Sequence, residues 1–214
     1  MTPIQSQIPS HSGTSIMLRK IEASINFILD STGKLATLLL IVLVGIIAFN
    51  VINRYAFSRS SIALDELSWH LYSSIFLLGI SYAVRTSSHV RVDLIYDSRS
   101  VKTKTIIDIV GTLILMLPFA AILFYYGFVF AKESFSFGPH APTLSGLLDQ
   151  FLTTGIGERS QDPGGLNNRF VIKSVIPLAF ALTFLSGISV LIAKCRVLKQ
   201  LHIENSVVTK GDTQ

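Results

Sequence analysis

Long apolar stretches alternate with short polar ones along this chain, and the charged residues gather where the apolar stretches stop. Four segments carry no Asp, Glu, Lys or Arg: 35–52, 67–84, 109–131 and 174–193. A helix rises 1.5 Å per residue, so about 20 apolar residues cross about 30 Å of hydrocarbon. Each segment is close to that length, and the pattern predicts four membrane-crossing helices. The first exceeds the core of a secretory signal, and no small-x-small cleavage site follows it, so it is read as a permanent helix. The second is the most polar, with His70 inside it and Ser68, Ser73, Ser74, Gly79 and Ser81 along it. Small and hydroxyl residues let membrane helices approach closely and hydrogen-bond, so this segment is expected among protein neighbours. Trp69 and Tyr72 suit the aromatic belt at the membrane boundary. Pro118 is expected to kink the third segment, and Pro177 falls in the first turn of the fourth, where a missing N–H costs little.

The stretches between are of several kinds. Residues 1–15 are polar, with Pro3 and Pro9, and read as a disordered leader. In 16–34, Ile21, Ile25, Ile28 and Leu29 recur at helical spacing among Arg19, Lys20, Glu22 and Asp30. That is an amphipathic helix, lying either at the headgroup layer or as a solvated extension of the first spanning helix. Loop 54–64 holds Arg54 and Arg59 and ends at the acidic pair Asp65-Glu66, with Ser60 or Ser61 available as a helix cap. Loop 85–105 is the most basic; its HVRVDL run alternates as an extended or short interfacial piece. The connection 132–173 carries Gly138-Pro139, Pro142 and Asp162-Pro163-Gly164-Gly165 as turn signals. Between them Leu144, Leu147, Leu148, Phe151 and Leu152 mark a short amphipathic helix, resting on the membrane surface or on a partner. Residues 200–214 read as a loose tail, leaving one four-helix domain over 16–199.

Composition agrees with the pattern. Of 214 residues, 50% are hydrophobic and 14% charged, against about 25% charged in soluble domains. The net charge of +5 comes from basic residues flanking apolar segments, which suits anionic headgroups; no basic helix or aromatic–basic platform points to nucleic acid. With the N-terminus in the cytoplasm, twelve of the 18 Lys and Arg lie inside and six outside, so both termini are expected there. This places Asp65 and Glu66 outside, and Arg85, His89, Arg91 and Asp93 inside. Each group either pairs within its hairpin, Asp65 and Glu66 with Arg54 and Arg59, or forms solvated helix ends.

Catalytic signatures are missing: the chain has no GxxxxGK[ST], HExxH, CxxC or GxSxG. Its five histidines do not share a metal-ligand spacing, and the single cysteine, Cys195, forms no internal disulfide. No catalytic, metal or cofactor site is assigned. A four-helix membrane enzyme or redox subunit, or a small homo-oligomeric channel or exporter, remains the alternative class; a carrier acting alone is poorly matched, since no inverted repeat or mid-membrane charge is evident.

The hairpin carries a resemblance. NVINRYAF, followed by DELSWHLYSSIFLLGISYAVRTSSHVRVDL, resembles the small membrane subunit of tripartite ATP-independent periplasmic (TRAP) transporters, the DctQ-like family. Asn50, Arg54, Tyr55, Phe57, Glu66, Leu67, Gly79, Ala83, Arg85, His89, Arg91, Val92 and Asp93 carry it, and DPGGL…KSVIPLAFAL adds to it. It covers about residues 20–195. His70 stands where the family often has a basic residue, and the third loop exceeds that of the shortest members. The resemblance implies an all-α subunit of the bacterial inner membrane without substrate or cofactor of its own. Its partners would be the large TRAP membrane subunit, which carries substrate and sodium, and a periplasmic substrate-binding protein that delivers an organic acid. Asn50, Arg54, Asp65, Glu66, Trp69, Arg85, His89, Arg91 and Asp93 are then candidates for subunit contact or structural pairing.

Overall fold

The computed structural model describes residues 13–86 and 100–211, and among these it is helical, with no strand. Helix α1 is Gly13–Phe57, α2 is Ile62–Arg85, α3 is Val101–Phe135, α4 is Leu144–Thr153 and α5 is Phe170–Gly211. α1, α2, α3 and α5 are long and apolar enough to cross a membrane. Most of the expected leader and the HVRVDL run lie outside the described residues.

Every spanning helix outlasts its apolar core. Hydrocarbon thickness limits only the apolar part, and the backbone stays helical beyond it until a residue stops it. α1 stops at Ser58, whose φ of 51° is left-handed, and Arg59 N–H bonds back to the Asn53 carbonyl at 3.2 Å. A left-handed residue followed by a bond back into the last turns is a common way for a helix to end. Ser61 caps α2 by accepting from Leu64 N–H, and Ser100 caps α3 by accepting from Thr103 N–H at 3.3 Å. No Gly or Pro falls between Gly187 and Gly211, and α5 runs on through the stretch expected to be a loose tail. Residues 16–34 likewise form no separate interfacial helix; they are the first part of α1.

Their apolar face is part of the core. Ile25 and Leu29 of α1 pack with Ala36, Leu78 of α2 and Leu182 of α5, while Ile21 and Ile28 stay exposed. α5 is the central helix: it packs on α3, α2 and α1, and α1 also packs on α2. In the most apolar stretch of α5, 39% of residues are buried, against 6% in α3. α3 therefore presents Ile114, Leu115, Phe119 and Tyr126 outward. Apolar surface on that scale requires lipid or a protein neighbour.

Prolines and glycines set the α3–α5 contact. Pro118 has no N–H for the Ile114 carbonyl, and a π-helical turn, Thr112–Met116, spans that position. Pro177 lies two turns into α5, because the helix begins at Phe170 and not at Ser174. It leaves the Lys173 carbonyl without its helical donor. Gly127 of α3 faces this spot: a Cβ there would stand 3.0 Å from Ile176 and 3.2 Å from Pro177 N. Gly187 similarly admits Met116 and Leu117. By contrast, Gly79 of α2 faces open space, whereas Ser74 and Ser81 are buried. Only some of the small residues of α2 therefore mediate close packing within this chain.

Replacing Gly127 by Leu should cost about 1–3 kcal/mol through overpacking, read as a lower melting temperature of the detergent-solubilised chain. Gly79→Leu, with no neighbour within 4 Å, should melt close to wild type; equal losses at both positions would show that the α3–α5 contact is not tight.

Candidate functional site

The charged and amide side chains that flank the apolar segments form two sets of fastenings, one on each side of the bundle's apolar middle. At the hairpin end, α1 and α2 are joined where Asn50 Nδ2 donates to Asp65 at 2.6 Å. The next residue, Glu66, points the other way and holds the α3–α5 loop. It accepts from Leu166 N–H at 2.6 Å and from the Ser160 hydroxyl. Asp162-Pro163-Gly164-Gly165 forms the turn that presents these donors, closed by Gly165 N–H on the Asp162 carbonyl at 3.0 Å. Loop residues 158–160 and 166–169 brace one another: Ser160 N–H meets the Leu166 carbonyl and Arg169 N–H meets the Glu158 carbonyl.

A second carboxylate fixes the same loop to α3 and α5. Glu158 accepts from Ser134 of α3 at 2.9 Å and from Lys173 of α5. The Lys173 ammonium also sits 4.2 Å from the centre of the Phe130 ring. Lys173 hydrogen bonding holds the Glu158 carboxyl below its ordinary value of 4.5, against burial, which raises it. Gly157 beside it has φ of 68°, and a Cβ there would lie 2.4 Å from the Ser134 carbonyl. Only glycine fits the loop against the end of α3. Asn168 completes the loop, donating to the Phe151 carbonyl at 3.0 Å and accepting from Ile156 N–H at 2.6 Å.

At the other end the fastenings run between helices directly. Arg85 of α2 pairs with Asp30 of α1, and Arg196 of α5 pairs with Glu22 of α1. Lys194 of α5 pairs with Asp108 of α3 at 2.6 Å. Ser189 of α5 donates to Asn26 of α1 at 2.8 Å. Each bond joins two spanning helices, and three of the four involve α5.

The candidates from the sequence fall out unevenly. Asn50 and Asp65 meet, Glu66 grips the third loop, and Arg85 ties α2 to α1. Arg54 rests 5.4 Å from the Tyr55 ring, and no ion pair joins Arg54 or Arg59 to Asp65 or Glu66 among the described residues. Trp69 is exposed, edge-on to Tyr72 at 6.5 Å. Asn50, Arg54, Asp65, Trp69 and Tyr72 line one groove of about 330 Å³ between α1 and α2. The Asn50 Oδ1 at its base is buried without a partner. His89, Arg91 and Asp93 lie outside the described residues. The sequence reading missed Glu158, Lys173, Asp30, Glu22, Arg196, Asn26 and Ser189 as partners. Their charge or polarity was the available signal, but ion pairing across distant segments has no local pattern.

Among the described residues, no group of His, Cys, Asp and Glu is placed to hold a metal ion. Polar pairs at the ends and apolar or small residues between them define a multi-pass helical membrane protein whose helices are clamped to one another. Residues 43–197 match the family model of the tripartite ATP-independent periplasmic transporters, DctQ component. The chain belongs to that family and is the small membrane component of a TRAP transporter. Comparison with individually curated proteins gives no match.

Replacing Glu66 by Ala strands the Leu166 N–H and should cost about 1–3 kcal/mol of local stability. Hydrogen exchange should quicken across residues 158–169 while membrane insertion is retained; unchanged exchange would remove Glu66 from this role. The Glu158 pair has a pH signature. Its carboxyl titrates below 4.5 in the folded chain, so its contribution is complete above that value and is lost as pH falls through the lower folded value. Protection of the loop should therefore hold from neutral pH to about 5 and drop below 4.5. Glu66 contributes to the same drop, because the Ser160 hydroxyl and Leu166 N–H hold its carboxyl below the ordinary value too. Glu158→Gln should therefore lower protection throughout and shrink the drop, and Glu158→Gln with Glu66→Gln should abolish it. A double variant with the wild-type pH profile would assign the titration elsewhere.

Proposed function

We propose that this chain is a non-catalytic scaffold, the fixed part of a sodium-coupled TRAP transporter against which the large membrane subunit's transport domain moves. The large subunit carries the organic acid and sodium, and a periplasmic binding protein delivers the acid. In this reading the chain sits in the bacterial inner membrane with both termini in the cytoplasm. The Asn50–Asp65 and Glu66 end then faces the periplasm, and Asp30–Arg85 faces the cytoplasm.

The observation that supports this reading most is the placement of polar groups. The ion pairs described above lie outside the charge-free apolar segments and join helix to helix or helix to loop. A carrier's moving path needs polar groups at mid-membrane and helices free to separate. Here α5 is tied to α1 and α3 at one end, and the third loop ties α2, α3 and α5 at the other. A clamped bundle with apolar α1 and α3 surfaces is suited to stand still beside a moving neighbour. The groove at Asn50, Arg54, Asp65 and Trp69 is the candidate contact for that neighbour at the hairpin end, with Arg85, His89, Arg91 and Asp93 at the other.

The test is co-expression with a large TRAP membrane subunit. The chain should copurify with that subunit, and reconstituted uptake should require both chains together with the binding protein and a sodium gradient. Organic-acid uptake by this chain alone would overturn the scaffold reading, as would full uptake by the large subunit without it. Trp69→Ala combined with Tyr72→Ala, both exposed in that groove, should weaken copurification several-fold without lowering the melting temperature of the isolated chain by a comparable measure.

A further inference from the structure

We infer that α4 is a membrane-interface anchor, an amphipathic helix that seats its leucines in the lipid boundary at the outer ends of α3 and α5. The helix has 10 residues, about 15 Å at 1.5 Å each, too short to cross a bilayer. Its sides are sharply divided. At 100° per residue, Leu147, Phe151, Leu144, Leu148 and Leu152 occupy one continuous arc, and Ser145, Asp149, Thr153, Gly146 and Gln150 the opposite one.

The bundle covers only one edge of the apolar arc. Leu147 is half-buried, and Phe151 packs edge-on against Phe170 with ring centres 6.4 Å apart. Leu144, Leu148 and Leu152 are 77%, 60% and 80% exposed. A loop that met only water would not keep three leucines at successive helical turns so exposed.

Placement identifies what covers them. Phe170 is the first residue of α5, and it also packs against Phe135, the last residue of α3, at 5.1 Å. Through these rings α4 is held at the level where two spanning helices leave the apolar layer. Phe137, in the short link between α3 and α4, is also 69% exposed. The rest of the helix is fixed. Thr143 caps it, and Gln150 donates to the Pro139 carbonyl at 2.8 Å and accepts from Ala141 N–H at 3.0 Å. A helix with this division of faces binds at the headgroup–acyl boundary, its apolar face about 5–10 Å deep. The occupant is therefore lipid, contiguous with the layer that already surrounds α3. The inference needs only that the chain spans a membrane; it would stand if the association with a large subunit failed.

Nitroxide labels at Leu148→Cys and Asp149→Cys, each in a Cys195→Ser background, test it in the full chain. The chain is placed in nanodiscs of phosphatidylethanolamine and phosphatidylglycerol, with and without the large subunit. Collision with oxygen reports lipid, and collision with a water-soluble nickel chelate reports solvent. The oxygen-to-nickel ratio should be several-fold higher at position 148 than at 149, and the difference should persist in the complex. Leu144→Cys should repeat the result at 148. Equal nickel access at both positions in the chain alone would overturn the anchor. So would a label at 148 shielded from both reagents in the complex, which would make α4 a docking helix for protein. Copurification, measured on the same samples, reports the subunit association separately.

Discussion

Inside hydrocarbon, an apolar side chain gains little by leaving lipid for another apolar side chain. Four apolar helices therefore do not assemble for the reason a soluble core does. What distinguishes their association is close packing at small residues and polar bonds whose alternatives are poorer. Here those bonds concentrate at the two ends, where some water remains and charges are tolerable. Glu66 on Leu166 and Ser160, Glu158 on Ser134 and Lys173, and the pairs Asp30–Arg85, Glu22–Arg196 and Asp108–Lys194 all lie there. Exposed ion pairs in water contribute roughly 0–1 kcal/mol each. Several of these are half-buried and act on the same helices, so their combined effect is to fix the helices' relative rotation and height.

Between the ends, shape does the work. Gly127 lets α3 approach α5 at Pro177, and Gly187 returns the favour for Met116 and Leu117. The two prolines sit where each helix gives up one backbone bond, and the π turn of α3 spans one of those gaps. The buried hydroxyls Ser81 and Thr183 satisfy themselves on carbonyls of their own helices. They occupy little space and leave no polar group facing lipid.

The third loop is the part most changed by tertiary contact. Long connections without spanning character are uncommon in compact domains and are either functional or disordered. This one is ordered because two carboxylates, Glu66 and Glu158, supply acceptors for its backbone and side-chain donors, and Asn168 ties its halves together. Its order in turn holds α4 against the ends of α3 and α5. Loop, helix ends and carboxylates together cap one end of the bundle.

Hydrophobicity is local, so the four crossings were legible as runs, and the family resemblance was legible in the order of residues from Asn50 to Asp93. The α4 helix showed in the spacing of Leu144, Leu148 and Leu152, and the cap of α2 was narrowed to Ser60 or Ser61, of which Ser61 makes it. The lengths of α1 and α5 were not legible, because a polar stretch stays helical wherever nothing stops it. Nor was the burial of Ile25 and Leu29, whose spacing suits a headgroup-layer helix as well as a core one. Asp65 and Glu66, adjacent in sequence, face Asn50 and Leu166 respectively, since neighbours on a helix point about 100° apart. Which carboxylate meets which donor depends on the rotation of α2 between α1 and α5. Only the tertiary structure sets that rotation, because it is decided by packing among residues far apart in the chain.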